Sequence, residues 1–236
     1  MKIPVQLLTT AFAVKETVKM YVKNNLELLP SQKKFQSIIK NKAIPIVFGI
    51  GPSGVGKTMI SCYEGYDLLK NNRVKKIIIT RPVVSVDEEL GFLPGTLNEK
   101  MAPWVNPLFD YFNEIEPKLA QKLLSNNQLE IVPIAFVRGR TFNNACIIGD
   151  EMQNSTPIQM KALLTRIGQN SKIIITGDLQ QSDLEKENGL KNILMLLSRR
   201  YEEKLEMYND GIGIVNFKKD DVMRNPVIKN ILELYE

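Results

Sequence analysis

Residues 51–58 read Gly51, Pro52, Ser53, Gly54, Val55, Gly56, Lys57, Thr58. This is the Gly-x-x-x-x-Gly-Lys-Ser/Thr spacing, whose physical use is to wrap a chain of phosphates. Gly51, Gly54 and Gly56 lack a Cβ, so the backbone can curl and aim its N–H groups inward. A helix starting at Lys57 would add the positive end of its dipole. Lys57 has the reach for β- and γ-phosphates, and the Thr58 hydroxyl can ligate Mg²⁺. The plain alternative, a Gly-rich turn that binds nothing, does not account for the lysine and the hydroxyl closing the run.

Two further polar segments follow isoleucine runs. Ile147 and Ile148 lead into Gly149, Asp150 and Glu151. A carboxylate at the end of a buried strand can fix Mg²⁺, and a second one beside it can orient and deprotonate an attacking water. The pair thus reads as Asp150 for the metal and Glu151 for the water, against the alternative of two acids at a helix start. Ile173–Ile175 lead into Thr176, Gly177, Asp178, Leu179, Gln180 and Gln181. Gln181 or Gln180 can hydrogen-bond a γ-phosphate or the attacking water, and Asp178 can tie that segment to the metal site or to an arginine. An ordinary turn is the competing reading.

The elements that must position these groups follow from periodicity. Apolar, β-branched runs predict strands at 44–50, 76–80, 129–137, 145–148, 172–176 and 213–217. Helical patterns lie at 26–39 (starting near Pro30 and Ser31), 57–70, 101–112, 117–125, 157–167 (with Thr156 as N-cap) and 190–208, and a last helix opens at Asn225 and Pro226. The continuously apolar isoleucine runs suit strands covered on both faces. Strands alternating with helices predict an α/β fold with a mainly parallel sheet flanked by helices, and ligands in such folds sit at the carboxyl ends of the strands. The organisation expected is a basic N-terminal element at 1–42 and a core at 43–236, with a helical insert at about 85–125.

Composition narrows the chemistry. The 236 residues include no histidine, which excludes His-based triads, His general bases and His-ligated zinc. Cys62 and Cys146 stand in apolar surroundings and read as reduced, buried thiols. Residues 1–42 hold eight lysines against Glu16 and Glu27, a balance of +6 that leaves −1 for the rest of a chain of net charge +5. That asymmetry suits a polyanion partner, or else a solvated helix face. No apolar run reaches the roughly 20 residues of a membrane span. Pro4, Gln6, Thr9 and Thr10 interrupt the one stretch that imitates a signal peptide, so the expected location is cytoplasmic.

Taken together, several segments resemble the PhoH family of P-loop ATPases, which is related to superfamily 1 helicases. They are 49–58 (GIGPSGVGKT), 80–84 (TRPVV), 90–95 (LGFLPG), 138–145 (RGRTFNNA) and 150–154 (DEMQN), with 175–181 (ITGDLQQ) and 221–226 (DVMRNP) in agreement. The resemblance spans about residues 28–236 and implies a RecA-like P-loop NTPase fold using ATP and Mg²⁺. It implies that Gln32 reads adenine as a helicase-like Q motif, that Lys57 and Thr58 hold phosphate and Mg²⁺, and that Asp150 and Glu151 bind metal and activate water. It also implies that Gln181 senses the γ-phosphate. Arg224 becomes the candidate arginine finger, in competition with Arg138, Arg140 and Arg166, and Arg81 falls where related helicases contact nucleic acid. The partners implied are further copies of the chain in a ring, with a hexamer as the candidate size, and single-stranded RNA; the location implied for a phage-encoded chain is the host cytoplasm.

The chain also departs from the family pattern. Gly149 replaces a usually apolar residue and Met152 a usual Ala. The expected form is an ATPase core alone, without RNA-binding or nuclease-like domains. Trp104, between Pro103 and Pro107, is a candidate for stacking on a base or for packing at a subunit contact, and 90–94 for an apolar loop that meets a partner or folds onto the body. Two other functions compete. A small-molecule or nucleic-acid kinase needs a mobile Arg-rich lid, and 85–125 contains no Arg. A nucleotide-gated binding module without turnover needs the loop but not Glu151. A GTPase is disfavoured because no Asn-Lys-x-Asp element follows the loop.

Overall fold

The computed structural model describes residues 27–82, 97–182 and 188–222. The expected apolar loop at 90–94, the N-terminal lysines before residue 27, Arg224 and the last helix at Asn225 and Pro226 lie outside these residues, and so does the side chain of Trp104.

Three isoleucine runs become three of the four interior strands of one sheet. The strands are β1 (Ile46–Ile50), β2 (Lys76–Thr80), β3 (Leu129–Ile131), β4 (Ala145–Gly149), β5 (Lys172–Gly177) and β6 (Ile212–Asn216), in the order β3-β2-β4-β5-β1-β6. Every neighbouring pair is parallel. Alternation sends successive side chains to opposite faces, and the isoleucines follow it. Ile77, Ile79, Ile148 and Ile174 enter one core, while Ile78, Ile147, Ile173 and Ile175 enter the other. Buried on both faces, these strands read as unbroken apolar runs for the reason anticipated.

The first core is covered by α1 (Pro30–Lys40), α2 (Lys57–Lys70), α3 (Leu97–Ile115) and α4 (Leu119–Ser125). The second is covered by α5 (Pro157–Leu164), α6 (Gly189–Arg200) and the segment 132–142. A short α7 (Lys204–Asn209) leads into β6. This is the P-loop NTPase, RecA-like arrangement expected, with the glycine-rich segment joining β1 to α2. Helix α5 starts where Thr156 was expected to cap it: the hydroxyl accepts from Gln159 N at 3.3 Å, and the Gln159 side chain accepts from Thr156 N at 2.9 Å.

Helix α1 packs Phe35, Ile38 and Ile39 into the same core as the sheet. Its C-terminal end is held by two cations. Lys172 Nζ donates to the carbonyls of Asn41 and Ile44 at 2.8 Å each, and Arg73 Nη1 donates to that of Lys40 at 2.9 Å. Carbonyls left open at a helix end favour such partners.

Two elements differ from expectation. The strand expected over 129–137 stops at Ile131. Pro133 has no N–H for a ladder, and the chain turns into a 3₁₀ segment at Ile134–Phe136 that buries Ile134. The single helix expected over 190–208 is broken at Tyr201, which is extended (φ −118°, ψ 121°) and donates its hydroxyl to Asp210 Oδ2 at 2.7 Å. Among the described residues, no helix is long and apolar enough to cross a membrane.

Candidate nucleotide site

The carboxyl ends of β1, β2, β4 and β5 meet at a cavity of about 460 Å³. The glycine-rich segment forms its floor. Gly51, Gly54 and Gly56 have φ of 149°, 84° and 84°, so the curl uses backbone conformations that other residues rarely adopt. At Gly51 a Cβ would also lie 2.6 Å from the Phe217 carbonyl oxygen. Gly51 N donates to Gly177 O at 3.1 Å, and Ser53 N donates to Asp178 Oδ2 at 3.2 Å. The loop is thereby tied to the end of β5. Lys57 Nζ sits inside the curl and donates to Gly51 O and Pro52 O at 2.7 Å each.

Asp150 follows β4 and is 3% exposed. Its Oδ1 accepts from Thr58 Oγ1 at 2.8 Å and from Thr176 Oγ1 at 2.6 Å. One carboxylate therefore joins the first turn of α2 to the last residues of β5. The Thr58 and Asp150 oxygens also suit Mg²⁺. Metal–oxygen bonds of about 2.0–2.1 Å at right angles put neighbouring ligand oxygens about 2.9 Å apart. Among the described residues no group of three or more Cys, Asp or Glu side chains could cage a metal on its own. A Mg²⁺ here would take its remaining ligands from phosphate and water, which is its usual habit.

Glu151 is held in the left-handed region at φ 52°. That conformation is uncommon for a residue with a Cβ and is maintained by its surroundings. Its Oε2 accepts from Gln153 Nε2 at 2.5 Å, and its Oε1 lies 3.8 Å from Arg81 Nη2. Glu151, Arg81 and Gln181 all line the cavity.

Gln32 lines the cavity from α1. Its Oε1 accepts from Leu29 N at 2.9 Å and its Nε2 donates to Val55 O at 2.9 Å, so the carboxamide braces the glycine-rich loop. Helix α3, from the expected insert, adds Pro107, Leu108 and Tyr111 as an apolar wall. The three arginines competing with Arg224 do not reach this cavity within one chain. Arg140 pairs with Glu130 at 2.8 Å and lies over the Phe142 ring. Arg138 and Arg166 line a separate hollow of about 330 Å³ beside Ile158 and Lys161.

Sequence reasoning placed the loop, the acidic pair and the Gln181 segment together. It missed the bond from Thr176 to Asp150 and the part taken by Gln153, quoted only as one letter of a motif. It also missed the Tyr111 wall. No local signal marks these residues, because sheet register and helix packing bring them in. The two cysteines are buried as expected. Burial raises the Cys62 thiol well above its ordinary range and pushes that of Cys146 to about 12.

Comparison with known proteins finds a family and several relatives. The family model described as PhoH-like protein matches residues 27–236. A PhoH-like protein of Bacillus subtilis (strain 168) is 40% identical over 239 residues, covering 93% of this chain and 73% of the relative. A PhoH-like protein of Mycobacterium tuberculosis (strain H37Rv) is 41% identical over 208 residues, covering 87% of this chain but 56% of the relative. Among solved structures, Bacteroides Pif1 bound to ssDNA is similar at 15% identity and a TM-score of 0.36, over 88% of this chain and 46% of that one.

Proposed function

This chain belongs to the PhoH-like family, and on that premise we propose that it is a Mg²⁺-dependent ATPase that uses hydrolysis to bind or remodel single-stranded RNA as a homo-oligomer. The observation that carries the reading is the Asp150 carboxylate, which accepts from Thr58 at 2.8 Å immediately beside a second carboxylate facing the same cavity. A phosphate-binding loop alone suits any nucleotide-binding protein; a metal-suited oxygen pair beside a second, oriented carboxylate suits hydrolysis.

In this reading residues 51–56 wrap the phosphates with backbone N–H groups, and Lys57 exchanges its loop carbonyls for phosphate oxygens. Thr58 and Asp150 would hold Mg²⁺, which when bound supplies charge neutralisation at the β- and γ-oxygens. Glu151 orients a water and takes its proton. Gln181 contacts the γ-phosphate from the β5 side, and Gln32 steadies the loop next to the base. Arg224 of a neighbouring copy is the candidate for neutralising charge in the transition state. The +6 balance of residues 1–42 supports a polyanion partner.

The test is phosphate release in Mg²⁺ buffer with no acceptor added, with and without single-stranded RNA. Wild type should turn over. Glu151→Gln should keep ATP affinity and lose about 10²–10⁴-fold in kcat, the range for removing a general base. Equal, slow turnover of both proteins, with ATP bound by each, would refute the enzyme and favour a nucleotide-gated module. Turnover only with a phosphoryl acceptor would favour a kinase.

A further inference from the structure

We propose that Gln153 is a positioning residue that makes the aim of the Glu151 carboxylate depend on the segment 178–182, so that water activation and γ-phosphate sensing move as one unit. The inference rests on the ATPase reading above.

Gln153 is 1% exposed. Its Nε2 donates to Glu151 Oε2 at 2.5 Å and to Gln181 O at 3.3 Å, and its Oε1 accepts from Asp178 N at 3.1 Å. Its own carbonyl accepts from Ser182 Oγ at 3.1 Å. One carboxamide thus touches the candidate base and both ends of the 178–181 turn. Asp178 continues the chain to the phosphate loop through Ser53 N. The path Ser53, Asp178, Gln153, Glu151 runs from the loop to the base without a gap.

The backbone is shaped around this joint. A Cβ at Gly177 would come within 2.8 Å of Gln153 Oε1, so the glycine at the end of β5 leaves the room that the carboxamide fills. Gln153 lies in the 3₁₀ turn Met152–Asn154, which Glu151 enters in its left-handed conformation. Glu151 is therefore aimed by a short hydrogen bond from an uncharged amide donor on one oxygen and by the more distant Arg81 on the other. A shift of the 178–182 segment toward a γ-phosphate would pull on the same Nε2 group that orients the base. Displacements near 1 Å at a reacting group cost about 10²-fold in rate.

The experiment uses the full chain with two substitutions. Gln153→Met keeps length and removes every donor and acceptor. Gln153→Glu keeps an acceptor for Asp178 N, removes both donors and faces a second carboxylate toward Glu151. For each, kcat and KM for ATP, the Kd for ATP and the thermal midpoint are measured, alone and in the Glu151→Gln background. We expect kcat of Gln153→Met to fall about tenfold or more with Kd within about twofold, and Gln153→Glu to fall further. In the Glu151→Gln background the same Gln153→Met change should alter residual turnover less than about twofold, because both act through one group.

Parallel losses in kcat and affinity, effects that multiply with Glu151→Gln, or unchanged kcat would each overturn the inference while leaving the ATPase reading in place. If Gln153→Met does not fold, Gln153→Glu is judged by the same split. Absence of turnover in wild type would instead refute the ATPase reading, and this is seen before any variant is compared.

Discussion

Gly149 and Met152 flank the acidic pair in the chain. The structure packs the two against each other. A Cβ on Gly149 would lie 3.0 Å from Ile175 Cδ1, 3.2 Å from Leu163 Cδ2 and 3.3 Å from Met152 Cγ. Met152 is fully buried. Its side chain therefore occupies space next to the position where a larger residue 149 would project, and the glycine and the methionine form a volume exchange. Gly149→Ala adds a methyl against three tight neighbours, at a cost of about 1–3 kcal/mol. The lower backbone entropy of the unfolded chain offsets about 0.4–1 kcal/mol of that. Met152→Ala alone empties a buried site and should cost about 2–5 kcal/mol. In the double variant the new methyl grows into vacated volume and one of its three close contacts disappears. The coupling should then recover about 1–2 kcal/mol relative to the sum of the single changes.

Urea denaturation of the four proteins, with m-values compared to confirm a common unfolding transition, measures this directly. Additivity within about 0.5 kcal/mol would refute the exchange. It would mean that the ends of Ile175 and Leu163 absorb the methyl without help from residue 152. ATP turnover of the double variant is a second readout, because residues 149 and 152 adjoin Asp150 and Glu151 in the chain.

Three other outcomes follow from the site and its supports. Lys57→Ala removes the ammonium that sits 2.7 Å from two loop carbonyls; ATP turnover should be lost, and unchanged kinetics would remove the loop from the reaction. Lys172 has its pKa pushed down to about 8, chiefly by burial, against an ordinary value of 10.5. The unfolded chain therefore binds more protons between about pH 8 and 10.5, so stability should rise with pH across that window, by at most about 3 kcal/mol from this group. Thermal melts of wild type and Lys172→Met over pH 7–10.5 check the sign, and equal slopes in the two proteins would refute it. If Arg224 acts on a neighbour's nucleotide, mixing inactive Lys57→Ala and Arg224→Ala proteins should restore phosphate release, and no recovery at any ratio counts against the assignment.

The parts of this site legible in the sequence are those where one local requirement fixes residue type. Gly51, Gly54 and Gly56 announce their backbone by lacking a Cβ, and runs such as Ile173–Ile175 announce a strand covered on both faces. Lys172 escapes this reading. A lysine opening a strand looks like a solvated edge residue, yet three-dimensional packing puts it under the end of α1 among carbonyls contributed from 131 and 128 residues away. The split between α6 and α7 escapes it too, because the apolar period runs on through Tyr201 and only the hydroxyl bond to Asp210 marks the bend.

The candidate site shows the same limit in sharper form. Thr58, Asp150 and Thr176 come from three segments, and what joins them is register: β4 pairs Gly149 with Ile175, and β1 pairs Gly49 with Thr176. A slip of one residue between β4 and β5 would carry Thr176 about 3.3 Å along the strand and turn its side chain to the other face. It would also drive the isoleucines of β5 into the wrong cores. The apolar pattern that makes the strands recognisable is thus also what sets the hydroxyl against the carboxylate. The sequence carries that geometry only through the alternation of its isoleucines between two cores.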